Sequence, residues 1–395
     1  MNRILSTLAS VFVLVISSSA TQFEVKNVEA HQRYPWNGKV DIDFLIDCAD
    51  SEAKFIVTVE CTDHIGNTNV VMQTIKDNDA GSAAISFKMA GGQHRLVWNA
   101  DVDCPNIVLA NISFAVFAKL WGEEDIADYM IIDLSNGPEA TSYPVTYRTG
   151  VPAGGWTDVY KTTKLVLRKC PAGTFTNTYY NGGRVTLTKG FFAGVFEVTQ
   201  KQWELVMGNN PSKPYLGGGV GPTYPVRDVS YDDIRGAAQG SRWPSSSAVD
   251  MTSFIYMIRS RTGIEEFDLP TEAQWEHACR AGTTTTYNTG NGESALAAAG
   301  WYRGNSDNCF HPVGGKMPNA WGLYDMHGNV SEWVLDWGKA SLSGRDPVGA
   351  ESGEYRGDRG GCWLLEAWYS ESSNRSYGSR PSTKGNGFRL FRTLP

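Results

Sequence analysis

The stretch Pro318-Asn319-Ala320-Trp321-Gly322-Leu323-Tyr324-Asp325-Met326-His327-Gly328-Asn329-Val330-Ser331-Glu332-Trp333 decides how the second half of this chain is read. It has neither the 3.6-residue period of a helix nor sustained two-residue alternation. Glycine and asparagine interrupt the apolar residues every few positions, so it predicts a succession of turns ending in a short buried segment. Within it a carboxylate (Asp325), a glycine turn (Gly328) and a second carboxylate (Glu332) stand seven residues apart end to end. Side-chain and carbonyl oxygens spaced in this way can close around one hard cation, and calcium takes about six to eight such oxygens in flexible geometry. The simpler reading is a tight turn whose Glu bonds backbone amides.

Upstream, the texture changes to short helices with defined ends. Thr199-Gln200-Lys201-Gln202 fits a capping box, with a helix through Trp203, Leu205, Val206 and Met207 to a stop at Gly208. Thr271-Glu272-Ala273-Gln274 is a second capping box, its helix running through Trp275 and His277 to a stop at Gly282. A third helix is predicted over 247–261, with Met251, Phe254, Ile255 and Ile258 on one side. Downstream, Gly, Asn and Trp recur in short turns to the C-terminus. Two or three helices with much Gly-rich irregular backbone do not make a doubly wound sheet.

Before residue 150 the pattern is strand after strand. Val40-Asp41-Ile42-Asp43-Phe44-Leu45-Ile46 alternates, Phe55 to Val59 is largely β-branched, and Ile112-Ser113-Phe114-Ala115-Val116 alternates again. Ala83 to Met89 and Arg95 to Trp98 are further candidates, with turn clusters at Asn78 to Gly81 and at Gly91-Gly92. About seven short strands without helical period predict an all-β sandwich of immunoglobulin-like type, serving as spacer or docking domain. Gly150 to Thr157, rich in Gly and Pro, reads as a linker. The expected organisation is therefore 1–20 signal peptide, 21–149 sandwich, 150–159 linker and 160–395 second domain.

The signal peptide rests on Arg3, the apolar run Ile4 to Ile16, and small residues Ser18-Ser19-Ala20 at the cleavage positions. The apolar run is about thirteen residues, against the roughly twenty that a membrane span needs. A secreted, periplasmic or cell-surface protein without a membrane anchor in the mature chain is expected. A net charge of −7 without a basic cluster argues against nucleic acid and anionic membranes as partners. The 42 glycines and 13 tryptophans favour a turn-rich fold with many aromatic packing sites. Seven cysteines in an exported chain permit disulfides, and the odd count leaves at least one thiol over; none has CxxC spacing. HExxH, GxSxG, GxxxxGK[ST] and a post-strand GxGxxG are all absent, and no histidines pair at ligand spacing.

Several phrases recur in one order: Gly194-Val195-Phe196-Glu197-Val198-Thr199, Tyr224-Pro225-Val226-Arg227-Asp228-Val229-Ser230, Leu269-Pro270-Thr271-Glu272-Ala273-Gln274-Trp275-Glu276 and Ala278-Cys279-Arg280-Ala281-Gly282. The opening stretch, Arg359-Gly360-Gly361 and Gly387-Phe388-Arg389-Leu390 complete the set. Over residues 160 to 393 it resembles the formylglycine-generating enzyme, or sulfatase-modifying factor, family. The resemblance implies an α+β domain of C-type lectin-like fold. It also implies calcium held by the side chains of Asp325 and Glu332 and the backbone carbonyls of Gly328 and Val330. The family's other calcium site, near Asn305 and Ser306, is not carried over because the acidic loop that follows is short.

Active relatives hold one copper(I) ion with two cysteines set five residues apart after the double glycine, and oxidise a substrate cysteine to formylglycine. The matching positions here are Leu365 and Ser370. Copper(I) prefers soft thiolates, so copper is not expected and catalytic residues are not expected. Cys362 takes the place of a pocket serine of many relatives; it is a lone thiol beside the old site, with Cys309 a candidate partner, or else a packed small residue. Cys279 matches a cysteine that is disulfide-bonded in some relatives, but its usual partner position is Leu390, so a buried free thiol is expected. Trp363, Trp368, Tyr369 and Arg375 are candidate ligand-binding residues, since aromatics and arginine dominate binding hot spots; they are equally good core fillers.

The sequence supports a calcium-stabilised peptide- or glycan-binding module that has lost cysteine oxidation. The alternative is an oxidoreductase working on a sulfatase-type protein through a non-standard metal or thiol site near Cys362. A sulfoxide-synthase reading is weaker, because no histidine-rich helical domain precedes this one.

Overall fold

A computed structural model describes residues 23–394, apart from 34–37, 49–53, 64–67, 71, 78–85, 105–111, 121–123, 125–126, 180–181, 215–218, 339–341 and 380–384. The expected signal peptide and the turn at 78–81 lie outside the described residues. Two compact units divide at Asp125/Ile126.

In the first unit the strands are β1 (Phe23–Gln32), β2 (Lys39–Cys48), β3 (Lys54–Asp63), β4 (Thr68–Val70), β5 (Ser86–Ala90), β6 (Gly92–Asn99) and β7 (Ile112–Leu120). One antiparallel sheet runs β1-β2-β6. In the other, β3 is flanked by β7 on one edge and by β4 and β5 on the other. The alternation read in the sequence sets the inner faces: Val40, Ile42, Phe44 and Ile46 of β2 share one core with Phe55, Val57, Phe114 and Val116. Trp98 is fully buried in this core and donates from Nε1 to Asp103 Oδ2 at 2.9 Å.

The second unit begins earlier than the sequence suggests. Strands β8 (Tyr129–Asp133) and β9 (Val145–Arg148) lie within the expected sandwich domain, yet β8 pairs with β10 (Lys164–Cys170) of the second unit. The boundary therefore falls near 125, not 149. The stretch 150–159 is likewise part of the second unit: Trp156 packs edge-on against Tyr129 at 4.8 Å and against Tyr160 at 5.0 Å. A Pro/Gly-rich composition marked a surface connection between strands, and composition alone does not separate that from an interdomain linker.

β8, β9 and β10 belong to a six-stranded antiparallel sheet that continues through Phe191–Gly194, Phe391–Thr393 and Phe267–Asp268. Met130, Ile132, Leu165, Leu167 and Phe192 face the main core, where the helices pack with Trp203, Phe254, Ile255 and Ile258. Tyr129, Ile131 and Val166 face the opposite side, covered by Val195, Phe196 and Val313. A smaller sheet centres on Ser331–Trp337, flanked by Tyr355–Arg359 and Asn386–Gly387, with Ser376–Ser379 beyond. All seven residues of Ser331–Trp337 are buried, which is why they read as a continuous apolar and polar mixture without alternation.

Both predicted capping boxes form, at Thr199/Gln202 and Thr271/Gln274. The first helix spans Gln200–Met207 and ends on left-handed Gly208, as read. The second spans Glu272–Arg280 and turns at Ala281, one residue before the expected glycine. The third is shorter than expected, Phe254–Thr262, because Ser253 caps it. Asp250 is instead committed to the amides of Ala238 and Gln239, and Met251 is exposed. The unforeseen short helix Tyr231–Arg235 has its own box, Ser230/Asp233. Among the described residues no helix is long and apolar enough to cross a membrane.

Charged residues fix these elements to one another. Asp268 accepts from Nε and Nη2 of fully buried Arg235 and from Nη2 of Arg259, joining two helices to a sheet edge. Asp268→Ala leaves two buried guanidiniums unmatched, and a loss of about 3–5 kcal/mol is expected in urea unfolding. Destabilisation below about 1 kcal/mol would show that the guanidiniums find other partners.

Candidate functional site

The carboxylate-turn-carboxylate stretch folds as a series of left-handed turns. Asp325 (φ 56°), Gly328 (φ 86°) and Asn329 (φ 58°) all occupy the positive-φ region. At Gly328 a side chain is excluded, because a Cβ would lie 1.9 Å from the Trp301 carbonyl oxygen. Asn319 organises the approach: its Oδ1 accepts from the amides of Trp321 and Leu323, and its Nδ2 donates to Ala278 O.

Asp325 and Glu332 are both buried, and the fold brings a third carboxylate, Glu197, to them. Glu332 is fully engaged. It accepts from Arg389 Nε and Nη2, the latter at 2.7 Å, and from Trp275 Nε1 at 2.8 Å. Glu197 accepts from Asn329 Nδ2 at 2.7 Å and from the Val330 amide at 3.1 Å. Asp325 Oδ2 accepts from the Gly314 amide at 2.6 Å, while its Oδ1 is buried without a partner among the described residues. Burial, then the charges of Asp325 and Glu332, push the Glu197 carboxyl well above the usual range. Burial pushes Asp325 up to about 6, with the Gly314 amide and Arg389 pulling the other way. Three buried carboxylates thus face one buried guanidinium, an excess of negative charge that costs heavily unless protons or a cation balance it. Among the described residues no three His, Cys, Asp or Glu side chains are grouped to hold a metal ion. The set expected from the sequence offers two carboxylates and two carbonyls.

Glu197 and Arg389 belong to the ordered phrases of the sequence but not to the site expected from it. The signal was present: each is a lone charge inside an apolar run, Val195-Phe196-Glu197-Val198 and Phe388-Arg389-Leu390. A charge in that setting is buried only if paired.

Leu365 and Ser370 stand at the positions that match the relatives' copper ligands. Ser370 is fully buried, its Oγ unpartnered, its carbonyl accepting from His327 Nδ1 at 2.7 Å. His327 also accepts from the Asn288 amide, and burial depresses it to about 4, so it is a neutral core residue. Leu365 is held by its backbone, donating to Cys362 O and accepting from Arg303 N. Cys362 packs against Phe310, Val330 and Trp363, and burial pushes its thiol up to about 11. All seven cysteines are free, so Cys309 is not disulfide-bonded to Cys362, the partnership the sequence had left open. Cys279 is a fully buried free thiol.

The four candidate ligand-binding residues separate into two pairs. Trp363 is 4% exposed and packs at a tilt against Phe310, ring centres 5.0 Å apart; Arg375 donates from Nε and Nη2 to buried Glu272. Both hold the fold together. Trp368, 51% exposed and stacked at 3.6 Å on Tyr369, presents an aromatic face to solvent.

A β-rich domain with short capped helices, Gly-rich connections and a core of arginine–carboxylate pairs is the class that this fold and site define. The profile of the sulfatase-modifying factor enzyme 1-like domain matches residues 157–394, and the chain belongs to that family. The chaperone protein LppX of Paenibacillus barcinonensis is 30% identical over 205 residues, 44% of this chain and 71% of that protein. The formylglycine-generating enzyme of Bos taurus is 31% identical over 145 residues, 31% of this chain and 37% of the enzyme. Among solved structures, Treponema denticola variable protein 1 is similar at 26% identity and TM-score 0.47, covering 58% of this chain and 95% of that one. PvdO from Pseudomonas aeruginosa is similar at 25% identity and TM-score 0.47, covering 58% and 94%.

In the buried core, Glu272 and Glu276 bind Arg359, Arg375 and Arg280. Asp358, next to this network, is pushed up to about 7 by burial and by the charge of Glu272. Its folded value lies above its ordinary 3.8, so the folded state holds the extra proton. Stability from this group is full at low pH and is lost as pH rises from about 4 through 7. Asp358→Asn is expected to flatten the decline between about pH 5 and 8 by on the order of 2 kcal/mol. Urea titrations across that range check it, and parallel curves for the two proteins would refute it.

Proposed function

We propose that this chain is an exported, calcium-stabilised module that binds a peptide or glycan and has lost the cysteine oxidation of its enzymatic relatives. The observation that carries the reading is the pair Leu365 and Ser370 at the copper-ligand positions. A hydrocarbon and a sealed hydroxyl do not suit copper(I), and Cys362 is one thiol with a raised pKa where two thiolates are needed. The residues present do not fit that metal, and no oxidation step is derived through it.

Calcium is favoured by the orphan Oδ1 of Asp325 and by the excess of carboxylate around it. A hard divalent ion held by Asp325, Glu332 and the carbonyls of Gly328 and Val330 would balance that charge. Trp368 and Tyr369 form the exposed aromatic face suited to a ligand. The name of the Paenibacillus relative, a chaperone protein, is in keeping with a polypeptide ligand. The two-sheet N-terminal unit is assigned to the immunoglobulin-like type and to a spacing or docking role.

Calcium is expected to raise the thermal midpoint of the purified protein, by the equivalent of about 2.7 kcal/mol at a hundredfold excess over Kd. Asp325→Ala should abolish the rise, and magnesium should not reproduce it. In parallel, copper(I) titration should show no tight site. A tight site lost in Cys362→Ser would overturn the binding reading in favour of an oxidoreductase acting on a sulfatase-type protein.

A further inference from the structure

Three buried arginines of the second unit, Arg235, Arg375 and Arg389, meet carboxylates through one edge of the guanidinium. Arg235 donates from Nε and Nη2 to the two oxygens of Asp268 at 2.7 and 2.9 Å. Arg375 does the same on Glu272 at 2.6 and 2.5 Å. Arg389 turns Nε and Nη2 onto Glu332. Arg227 is equally buried, 4% exposed, yet its Nε and Nη2 have no partner among the described residues. Its ion pair is with Asp228, on Nη1 at 2.5 Å, leaving the paired edge empty.

Arg227 is held in place. Ser212 Oγ accepts from its amide and donates to its carbonyl, and the guanidinium lies 4.4 Å from the centre of the Phe310 ring. Burial holds the guanidinium below its usual range despite Asp228. Upstream of Arg227, residues 209–224 contain no Asp or Glu, and the adjacent Asp228 is already engaged on Nη1. Phe310 packs in turn on Trp363, beside partly exposed Tyr224 and Cys362, and Cys309 is partly exposed as well.

We propose that the Nε–Nη2 edge of Arg227 is a carboxylate-binding subsite that takes the carboxylate of a peptide ligand, either its C-terminus or an acidic side chain. The planar edge matches a planar carboxylate with two parallel hydrogen bonds. A single cation already paired on Nη1 suits a monoanion better than a dianionic phosphate. The aromatic and thiol neighbours suit peptide side chains better than a sugar's hydroxyls. The assignment rests on the binding-module reading for the nature of the ligand, but the site itself does not depend on it.

The test is NMR of the purified 15N-labelled chain, without copper, following the Arg227 Nε–H signal (identified by its loss in Arg227→Gln) and the Phe310 amide. Acetate, N-acetylglycine, N-acetylaspartate α-amide, glucuronate and inorganic phosphate are titrated at matched ionic strength. Saturable movement of both signals by acetate and by one of the two amino-acid probes is expected, and the better probe tells terminus from side chain. In Arg227→Lys, which keeps the charge but not the edge, the Phe310 response should weaken about tenfold. No movement, an undiminished response in Arg227→Lys, or saturation at lower concentration by phosphate or glucuronate would overturn the proposal. A tight copper(I) site would sink the binding reading while leaving an Arg227 response intact, so the two failures are distinguishable.

Discussion

The Glu332–Arg389 pair is the contact on which the second unit depends. Glu332 sits on the fully buried strand Ser331–Trp337, and Arg389 lies just beyond the edge strand Asn386–Gly387. Arg389 also donates to the carbonyls of Gly194 and Tyr324, and Glu332 accepts from Trp275. One ion pair thus joins a strand of the large sheet, the irregular turn, a helix and the C-terminal segment. Two charges this deep are tolerable only with their geometry and remaining hydrogen bonds complete.

The same solution recurs because the backbone is irregular. Where chains run in Gly-rich turns rather than ladders, side chains must satisfy many of the peptide groups. Arg356 donates to the carbonyls of Leu335 and Ser241, Arg261 to those of Val206 and Pro138, and Asn319 to that of Ala278. The carboxylates that pair with Arg235, Arg359, Arg375 and Arg389 come from a capped helix and neighbouring strands, so helix ends, turns and charge pairs are linked. Against this background Arg227, with both Nε and Nη2 unpartnered among the described residues, and Asp325, with an unpartnered Oδ1 in a cluster of three carboxylates, stand out.

Asn319, Gly328, Glu332 and Arg389 are all engaged in holding the irregular backbone. In the segment after Gly361, Ser370 is sealed under His327, and Trp363 fills the cluster around Phe310. Exposure is concentrated instead at Leu364 and Trp368.

The helices were legible from sequence where local chemistry suffices, since a capping box satisfies its own amides within four residues. The alternating faces of β2 and β7 were legible for the same reason. The start of the second unit was not, because β8 reads like any other strand and only its pairing with β10 assigns it. Asp325 and Glu332 could be picked out by spacing, whereas Glu197 reaches them from more than a hundred residues away through the fold alone. Trp363, Trp368 and Arg375 looked alike as candidate binders, and packing divided them. By itself the sequence determined which groups carry charge, where turns must open and which side chains stand after Gly361. Only the tertiary structure decided which charges are matched, because burial and pairing are properties of distances that the order of residues does not contain.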